Sequence, residues 1–278
     1  MNFTRRMAGL ALATATTVAL ALPAFAQNAS QDLSRESVIE TIKQDGVLRI
    51  GLSIFRPWSM RDLEGELVGF ELDVGRELAK DMGVEVEFVP TSWDGIIPAL
   101  VSGKFDVIIS GMTITPQRNL TVAFSDPYAY SGLTILANNE LTAGFSLEDY
   151  NSPDVTFSAR RGATPATVIA EMFPEAELLL FDEDGAADQE VLNGNAHATM
   201  GAEPSPSEYA RTYPETVNVP FNQAFQAAGE GFAFRKGDPD AENFFNNWIG
   251  IKTRTGWMQE RHDYWFRGDD WKDSVAKP

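Results

Sequence analysis

The sequence of 278 residues contains no cysteine and only two histidines, His197 and His262. Without cysteine, the chain can form no disulfide and cannot carry a lipid-modified cysteine as a membrane anchor. The sequence also contains no Cys/His cluster of the kind that binds zinc, and no glycine-rich phosphate loop. It therefore predicts neither a metal nor another cofactor.

Long apolar runs are scarce as well, and the longest lies at the N-terminus. Arg5 and Arg6 precede an apolar run from Met7 to Leu22, and Ala-Phe-Ala at 24–26 fits a small-residue cleavage site. The run is too short and too rich in alanine to span a membrane comfortably. We expect a cleaved export signal over 1–26, a mature protein in the periplasm and no stable membrane anchor; the arginine pair leaves general and twin-arginine export open.

Basic side chains are few, with 22 Lys and Arg against 40 Asp and Glu. Two of them fall in the predicted signal, so the exported chain has a net charge of −20. This excess of negative charge argues against nucleic acid or an anionic membrane as a partner. The roughly 250 remaining residues can form one large or two small domains.

Apolar periodicity predicts alternating strands and helices along the whole chain. Strands are predicted over 47–52, 84–88, 105–109, 154–159, 177–181, 196–200 and 231–235. Helices are predicted over 32–44 (capped by Ser34), 71–82, 95–101, 166–172, 186–192, 205–212 and most of 240–264. Such alternation implies parallel pairing and an α/β fold.

The most informative segment is 110–118, Ser-Gly-Met-Thr-Ile-Thr-Pro-Gln-Arg, which follows a short apolar strand. Pro116 suits the first turn of a helix, and Gly111 allows close approach of the backbone to another group. Free N–H groups at this turn, with Arg118 one helical turn later, would trap a carboxylate. A plain strand-to-helix turn with a surface arginine is the alternative.

Residues 111–118, together with Phe-Ser-Asp-Pro-Tyr at 124–128, resemble the signature of family 3 extracellular solute-binding proteins. The resemblance continues at 69–73 and 93–100 and covers nearly all of the chain after residue 35. It implies a periplasmic-binding-protein type II fold, with two α/β lobes joined by a two-crossing hinge. It also implies a monomeric receptor of an ABC import permease that closes its lobes over a polar or acidic amino acid.

On this resemblance, lobe 1 comprises 33–127 plus 231–278, lobe 2 comprises 133–226, and the hinge lies at 128–132 and 227–230. The ligand would bind in the cleft at the carboxyl ends of strands from both lobes. Aromatic residues at helical spacing near the C-terminus are expected to pack on lobe 1 rather than bind ligand: Trp257, Tyr264, Trp265 and Phe266.

The resemblance assigns Arg118 to the ligand carboxylate as a bidentate partner. The backbone N–H groups of Thr113 and of Thr164, at a helix N-terminus in lobe 2, would add hydrogen bonds to the same carboxylate. The carbonyl of Gly111 would accept from a ligand ammonium.

Aromatic and basic residues would complete the cleft. Trp93 matches one aromatic wall, and Trp58 or Phe55 matches the other, since the face of a tryptophan can hold an aliphatic chain or a cation. Core packing is the alternative for each tryptophan. Arg160 matches a position near the ligand side chain.

One position departs from the family pattern. Relatives that bind amino acids carry an acid after the lobe 2 strand to pair with the ligand ammonium, and here that position is Ala202. The adjacent Glu203 restores the partner if the chain shifts by one residue; otherwise a buried ammonium would lack its counter-ion. A keto acid or dicarboxylate without an amine therefore stays open as the ligand.

A catalytic function is the second hypothesis, because periplasmic cyclohexadienyl dehydratases are similar at 89–93 and 262–265. Those enzymes need a glutamic acid as general acid where this chain has Ala166, and neither histidine replaces it. The sequence therefore predicts a binding protein rather than an enzyme. A sensor or lyase fusion would need extra modules, for which no room is expected.

Overall fold

The computed structural model describes residues 37–276, so the predicted signal over 1–26 and the start of the predicted first helix lie outside the described residues. The first described helix follows Ser37, whose hydroxyl oxygen accepts from the N–H of Ile39. It ends at Gly46, which adopts the left-handed conformation (φ 70°) that favours glycine. The predicted cap, Ser34, is also outside the described range.

The described elements follow in chain order. They are α1 (Val38–Asp45), β1 (Val47–Leu52), β2 (Met60–Arg61), β3 (Leu67–Val68), α2 (Phe70–Met82), β4 (Glu85–Pro90), α3 (Ile96–Val101), β5 (Val107–Ile108), α4 (Pro116–Asn119), β6 (Ala123–Phe124), β7 (Ala129–Asn138), β8 (Thr156–Arg160), α5 (Thr164–Met172), β9 (Glu177–Phe181), α6 (Ala186–Leu192), β10 (Ala198–Ala202), α7 (Ser205–Thr212), β11 (Val217–Asn218), β12 (Gln226–Glu230), β13 (Ala233–Phe234), α8 (Pro239–Arg254) and α9 (Trp257–Phe266).

The strands form two main sheets, one in each lobe. In lobe 1 the order is β4-β1-β5-β13-β6, with β1 parallel to β4 and β5. In lobe 2 the order is β11-β7-β10-β8-β9, and β12 also pairs with β7. There β8 runs parallel to β9 and β10, whereas β7 is antiparallel to its neighbours. The parallel pairing expected from the alternating pattern is therefore found at the centre of both sheets.

Each sheet has its own apolar core, and the C-terminal aromatics belong to that of lobe 1. Trp265 is buried there, and Trp257, Tyr264 and Phe266 pack against the same cluster. The core of lobe 2 is built around Tyr150, with Phe157, Phe173 and smaller apolar side chains. The expected role of the aromatic tail as packing on lobe 1 is confirmed.

Two features of the fold add detail to the sequence-based expectation. The predicted helix over 240–264 is two helices, because Gly256 takes a φ of 80° between α8 and α9. The predicted hinge segments 128–132 and 227–230 lie largely within β7 and β12, which pair from Gln226↔Leu133 to Glu230↔Ala129. Their hydrogen bonds join segments about 100 residues apart, so periodicity within either segment could not reveal them.

Within the described residues, no helix is long and apolar enough to cross a membrane.

Candidate functional site

A cavity of about 100 Å³ lies between the two lobes. This is several times the roughly 10–15 Å³ that one water needs on the same measure, so the cavity has room for a small organic molecule. Lobe 1 lines it with aromatic rings, Gly111 and Thr113, the paired β7 and β12 contribute Ser131 and Glu230, and lobe 2 supplies most of the polar wall. Of the sequence-predicted site residues, the cavity wall includes Trp58, Trp93, Gly111, Thr113, Arg160 and Thr164.

Trp58 is both a core residue and a wall of the cavity. Its side chain is only 1% exposed and packs edge-on against Phe70 and Phe266. Gly111, with φ 55°, comes so close that a Cβ placed there would lie 3.2 Å from the Trp58 ring. Phe55 stacks parallel to Trp58 with 6.3 Å between ring centroids, so both residues offered for this wall line the cavity.

The N–H groups of the 111–114 turn are not all free, contrary to the expectation for a carboxylate trap. The N–H of Gly111 donates to Glu71 Oε1 at 2.7 Å, and that of Ile114 donates to the carbonyl of Gly229 at 2.9 Å. Glu71 also accepts from the Tyr128 hydroxyl at 2.5 Å, and burial raises the pKa of Glu71 to about 8. This buried acid supports the turn from behind.

Thr113 is bridged to Glu230 of β12 in antiparallel fashion. The flanking hydrogen bonds, from Ile114 to Gly229 and from Gly231 to Met112, identify them as a non-hydrogen-bonded pair. In such a pair the two side chains lie close together on one face. Both residues line the cavity, so the signature turn and β12 present their side chains together.

Arg118 lies at the lip of the cleft rather than among the residues that line the cavity. Its Nη1 donates to the Thr113 carbonyl at 2.9 Å, its Nη2 donates to the Gly162 carbonyl at 3.1 Å, and its guanidinium lies 5.4 Å from the Trp93 ring centroid. Burial lowers its pKa to about 10, and across residues 37–276 no carboxylate lies within ion-pair distance. A half-buried guanidinium without a nearby acid is well suited to an anionic ligand.

Arg160 lines the cavity from lobe 2 and, unlike Arg118, lies near a carboxylate. It donates to the Ile54 carbonyl at 3.0 Å and to Ser53 Oγ at 2.8 Å in lobe 1, and it lies 3.6 Å from Asp184 in lobe 2. Thr164 is the first residue of α5, whose Pro165 suits the first turn of a helix. The arrangement brings a cation and the N-terminus of a helix to the lobe 2 wall of the cavity.

Three acidic residues of the cavity wall were not predicted as site residues: Glu183, Asp184 and Asp188. They lie between the end of β9 and the first turns of α6. Burial raises the pKa of Asp184 to about 6, although Arg160 opposes the shift. Burial and the neighbouring Asp184 raise the pKa of Asp188 to about 7. The Asp184 side chain keeps 28% of its surface exposed in the cleft, so water there screens part of the effect.

The sequence did contain a signal for this acidic segment. Asp-Glu-Asp at 182–184 directly follows a strand that the sequence predicted correctly, and a helix follows. The carboxyl end of a strand in such a unit is where α/β sheets bind ligands.

Glu203 is not brought to the cavity. Its Oε1 accepts from Thr134 Oγ1 at 2.7 Å and from Ser207 Oγ at 2.9 Å, whereas Ala202 lines the cavity with a methyl group. β10 ends at Ala202 and the chain turns at Glu203, whose carboxylate is directed to Thr134 and Ser207. The one-residue shift that would have restored an acid at position 202 is absent.

Several hydrogen bonds and an ion pair join the lobes across the cleft. Arg56 of lobe 1 pairs with Glu208 of α7 through two contacts, Nε–Oε2 at 2.9 Å and Nη2–Oε1 at 3.1 Å. The indole N–H of Trp93 donates to the Gly162 carbonyl at 3.1 Å. With the contacts of Arg118 and Arg160, these hold the lobes together over the cavity.

The histidines lie outside the site. His197 Nδ1 accepts from the N–H of Thr156 at 3.1 Å, and His262 stacks on Phe266 with 4.3 Å between ring centroids. Neither lines the cavity. Within the described range, no group of three or more potential ligand side chains is placed to hold a metal ion.

Comparison with known proteins gives consistent results. The sequence profile of bacterial extracellular solute-binding proteins, family 3, matches residues 48–268. Cyclohexadienyl dehydratase of Pseudomonas aeruginosa is 28% identical over 248 residues, which are 88% of this chain and 92% of the enzyme. The crystal structure of an ancestral amino acid-binding protein, a precursor of cyclohexadienyl dehydratase, is 40% identical with a TM-score of 0.74, covering 83% of this chain and 99% of that one.

A second solved structure is the putative binding component of an ABC transporter from Wolinella succinogenes, complexed with lysine. It is 36% identical with a TM-score of 0.77, and the match covers 82% of this chain and 99% of that chain. The similarities therefore extend over both lobes.

Proposed function

The chain belongs to the bacterial extracellular solute-binding proteins of family 3, and we propose that it is a periplasmic receptor that delivers an amino acid with a cationic side chain to an ABC import permease. The family resemblance and the type II fold expected from the sequence are both confirmed. The ligand, the location in the periplasm and the delivery to a permease are the parts that we propose. The residue roles assigned below belong to the same proposal.

The charge of the cavity wall carries this proposal. Among residues 37–276, four acids line the cavity, Glu183, Asp184, Asp188 and Glu230, against the single basic residue Arg160. Burial disfavours the charged forms of these acids, and their acidic neighbours add to the effect, as the raised pKa values of Asp184 and Asp188 indicate. A ligand cation between them would stabilise their ionised forms. The sequence predicts a polar or acidic amino acid as the ligand. The acidic wall of the cavity favours a polar amino acid with a basic side chain over an acidic one.

The two ends of such a ligand would meet different residues. Its carboxylate would pair with Arg118, supported by backbone N–H groups of Thr113 and of Thr164 at the start of α5. Its aliphatic stem would lie against Trp58 and Trp93, and its distal cation would reach the acids of α6. The lysine bound by the Wolinella succinogenes relative has a carboxylate, a stem and a distal cation of this kind.

A binding screen with refolded, ligand-stripped protein tests the proposal. Arginine and lysine are expected to raise the melting temperature most, since a ligand that binds only the folded state adds about 2.7 kcal/mol at a hundredfold excess over Kd. Norleucine, which is lysine without its distal ammonium, is the matched control and should bind much more weakly. Stabilisation only by glutamate, dicarboxylates or keto acids would refute a basic ligand.

A cyclohexadienyl dehydratase activity is the second candidate. It is favoured by the similar enzyme of Pseudomonas aeruginosa and by cavity acids whose pKa is near neutral, about 7 for Asp188 and for Glu230, as a general acid requires. Against it, Ala166 is in place of the expected acid and packs against the lobe 2 core. Incubation of the purified protein with prephenate decides between a receptor and a dehydratase. We expect no product, and turnover of prephenate would establish the dehydratase activity.

A further inference from the structure

Glu230 is the most deeply buried acid of the cavity wall, with only 1% of its surface exposed. Its Oε1 accepts from Ser131 Oγ at 2.5 Å. Its Oε2 is also buried and has no hydrogen-bond partner among residues 37–276. A buried carboxylate oxygen without a donor is costly, so this atom needs a donor that the described protein does not supply.

The location of Glu230 indicates which part of a ligand would provide that donor. Glu230 pairs with Thr113, and the carbonyl of Thr113 accepts from Arg118. The proposed carboxylate contacts and Glu230 are therefore at the same end of the cavity. In an α-amino acid the ammonium is attached to the carbon next to the carboxylate, so a carboxylate bound at Arg118 brings the ammonium to this end.

The usual partner of that ammonium is missing from this chain. Ala202 lines the cavity where an acid was expected, and the carboxylate of Glu203 is held by Thr134 and Ser207 outside it. The acids Asp184 and Asp188 belong to α6 and the segment before it, whereas Glu230 is on β12 beside Thr113. An ammonium bound without a carboxylate would leave a buried charge unpaired, which is strongly destabilising.

We propose that Glu230 is the partner of the ligand α-ammonium, and that it replaces the acid absent at Ala202. The inference rests on the proposed function as a receptor for an amino acid. Glu230 Oε2 accepts a hydrogen bond from the ammonium while Oε1 keeps its bond to Ser131. Because burial raises the pKa of Glu230 to about 7, pairing with the ammonium also favours its ionised form.

The test compares ligands that differ only in the α-amine. The probes are arginine with 5-guanidinopentanoate and lysine with 6-aminohexanoate, titrated calorimetrically into wild-type protein and into Glu230→Gln. The variant should lose about 30-fold or more in affinity for the amino acid, the range for removing one partner of a buried charge pair. Affinity for the amine-free analogue should change less than about threefold, since it makes no contact that needs the charge of Glu230.

Two further variants control the result. Ala202→Asp combined with Glu230→Gln is expected to recover most of the lost affinity, because it returns an acid to the other side of the ammonium. Glu203→Gln should leave both affinities unchanged, since that carboxylate is bonded to Thr134 and Ser207. Equal binding of the amino acid by Glu230→Gln and wild type, or equal loss for both probes, would refute the role of Glu230.

The outcomes separate this inference from the proposed function. If wild-type protein binds only amine-free carboxylates, the amino-acid receptor fails together with the inference. If it binds arginine or lysine and the variant does so equally well, only the inference fails. Should Glu230→Gln not fold, a crystal structure of wild-type protein with the amino acid decides: an ammonium within about 3.2 Å of Glu230 supports the pairing, and an ammonium paired elsewhere refutes it.

Discussion

The two lobes line the cavity with different chemistry. Lobe 1 contributes aromatic rings, Gly111 and Thr113, and no ionisable side chain of lobe 1 lines the cavity within the described range. Lobe 2 contributes Arg160 and the acids Glu183, Asp184 and Asp188. Rings and backbone groups suit any amino acid, whereas fixed charges discriminate between side chains. On this comparison, we expect lobe 1 with Arg118, assisted by the start of α5, to hold the part that all amino acids share, and the acids of lobe 2 to select among their side chains.

The largest loss of ligand affinity is expected from substitution of Arg118, which lies in lobe 1 at the edge of the cleft. Arg118→Ala should reduce affinity about 100-fold or more for every carboxylate ligand, basic or neutral, because it removes the charge that no nearby acid neutralises. Titration calorimetry with arginine and norleucine measures this. Arg161→Ala removes an exposed arginine that pairs with Asp182 and should have no effect. A loss confined to arginine would contradict the assignment of Arg118 to the shared carboxylate.

A smaller and selective effect is expected in lobe 2. Asp188→Asn should weaken lysine about tenfold and leave norleucine unchanged, because only lysine has a distal charge and Asp184 retains part of the attraction. The control is Asp182→Asn, which changes an exposed acid of the same segment that pairs with Arg161. Equal losses for lysine and norleucine would mean that Asp188 supports the fold of the wall and does not select the ligand.

The lobes also differ in how much the sequence revealed. In lobe 1 the signature turn is continuous in sequence, so Gly111, Thr113 and Arg118 were found as a group and the strand before them was predicted. In lobe 2 the acidic segment 182–184, directly after a predicted strand, was a local signal that the prediction did not use. The contribution of Asp188 depends on how α6 packs over the sheet, which no local pattern specifies. The prediction for Glu203 did not account for the turn that follows Ala202. The pairing of β7 with β12, and with it the location of Glu230, arises only when distant segments meet.

Lobe 1 does contain a buried acid, Glu71, but the structure uses it behind the signature turn. Its pKa in the folded protein, about 8, lies above the value of about 4.5 expected when unfolded. Between these two values the folded state holds a proton that the unfolded state has lost, so stability falls as pH rises, by up to about 1.4 kcal/mol per pH unit. The pKa values of Asp184, Asp188 and Glu230 are also raised by burial, so these cavity acids likewise lower the stability of the folded protein as pH rises.

Glu71→Gln should therefore flatten the fall in melting temperature between pH 5 and pH 8 without changing the preference for lysine over norleucine. Glutamine cannot titrate, and its carbonyl can still accept from Tyr128 and Gly111. Ligand-free melting at several pH values, with titrations at pH 7, separates the two readouts. An unchanged pH slope would mean that Glu71 is ionised in the folded protein. A changed ligand preference would mean that lobe 1 also selects the ligand, because the turn that Glu71 supports would then affect the side chain as well as the carboxylate.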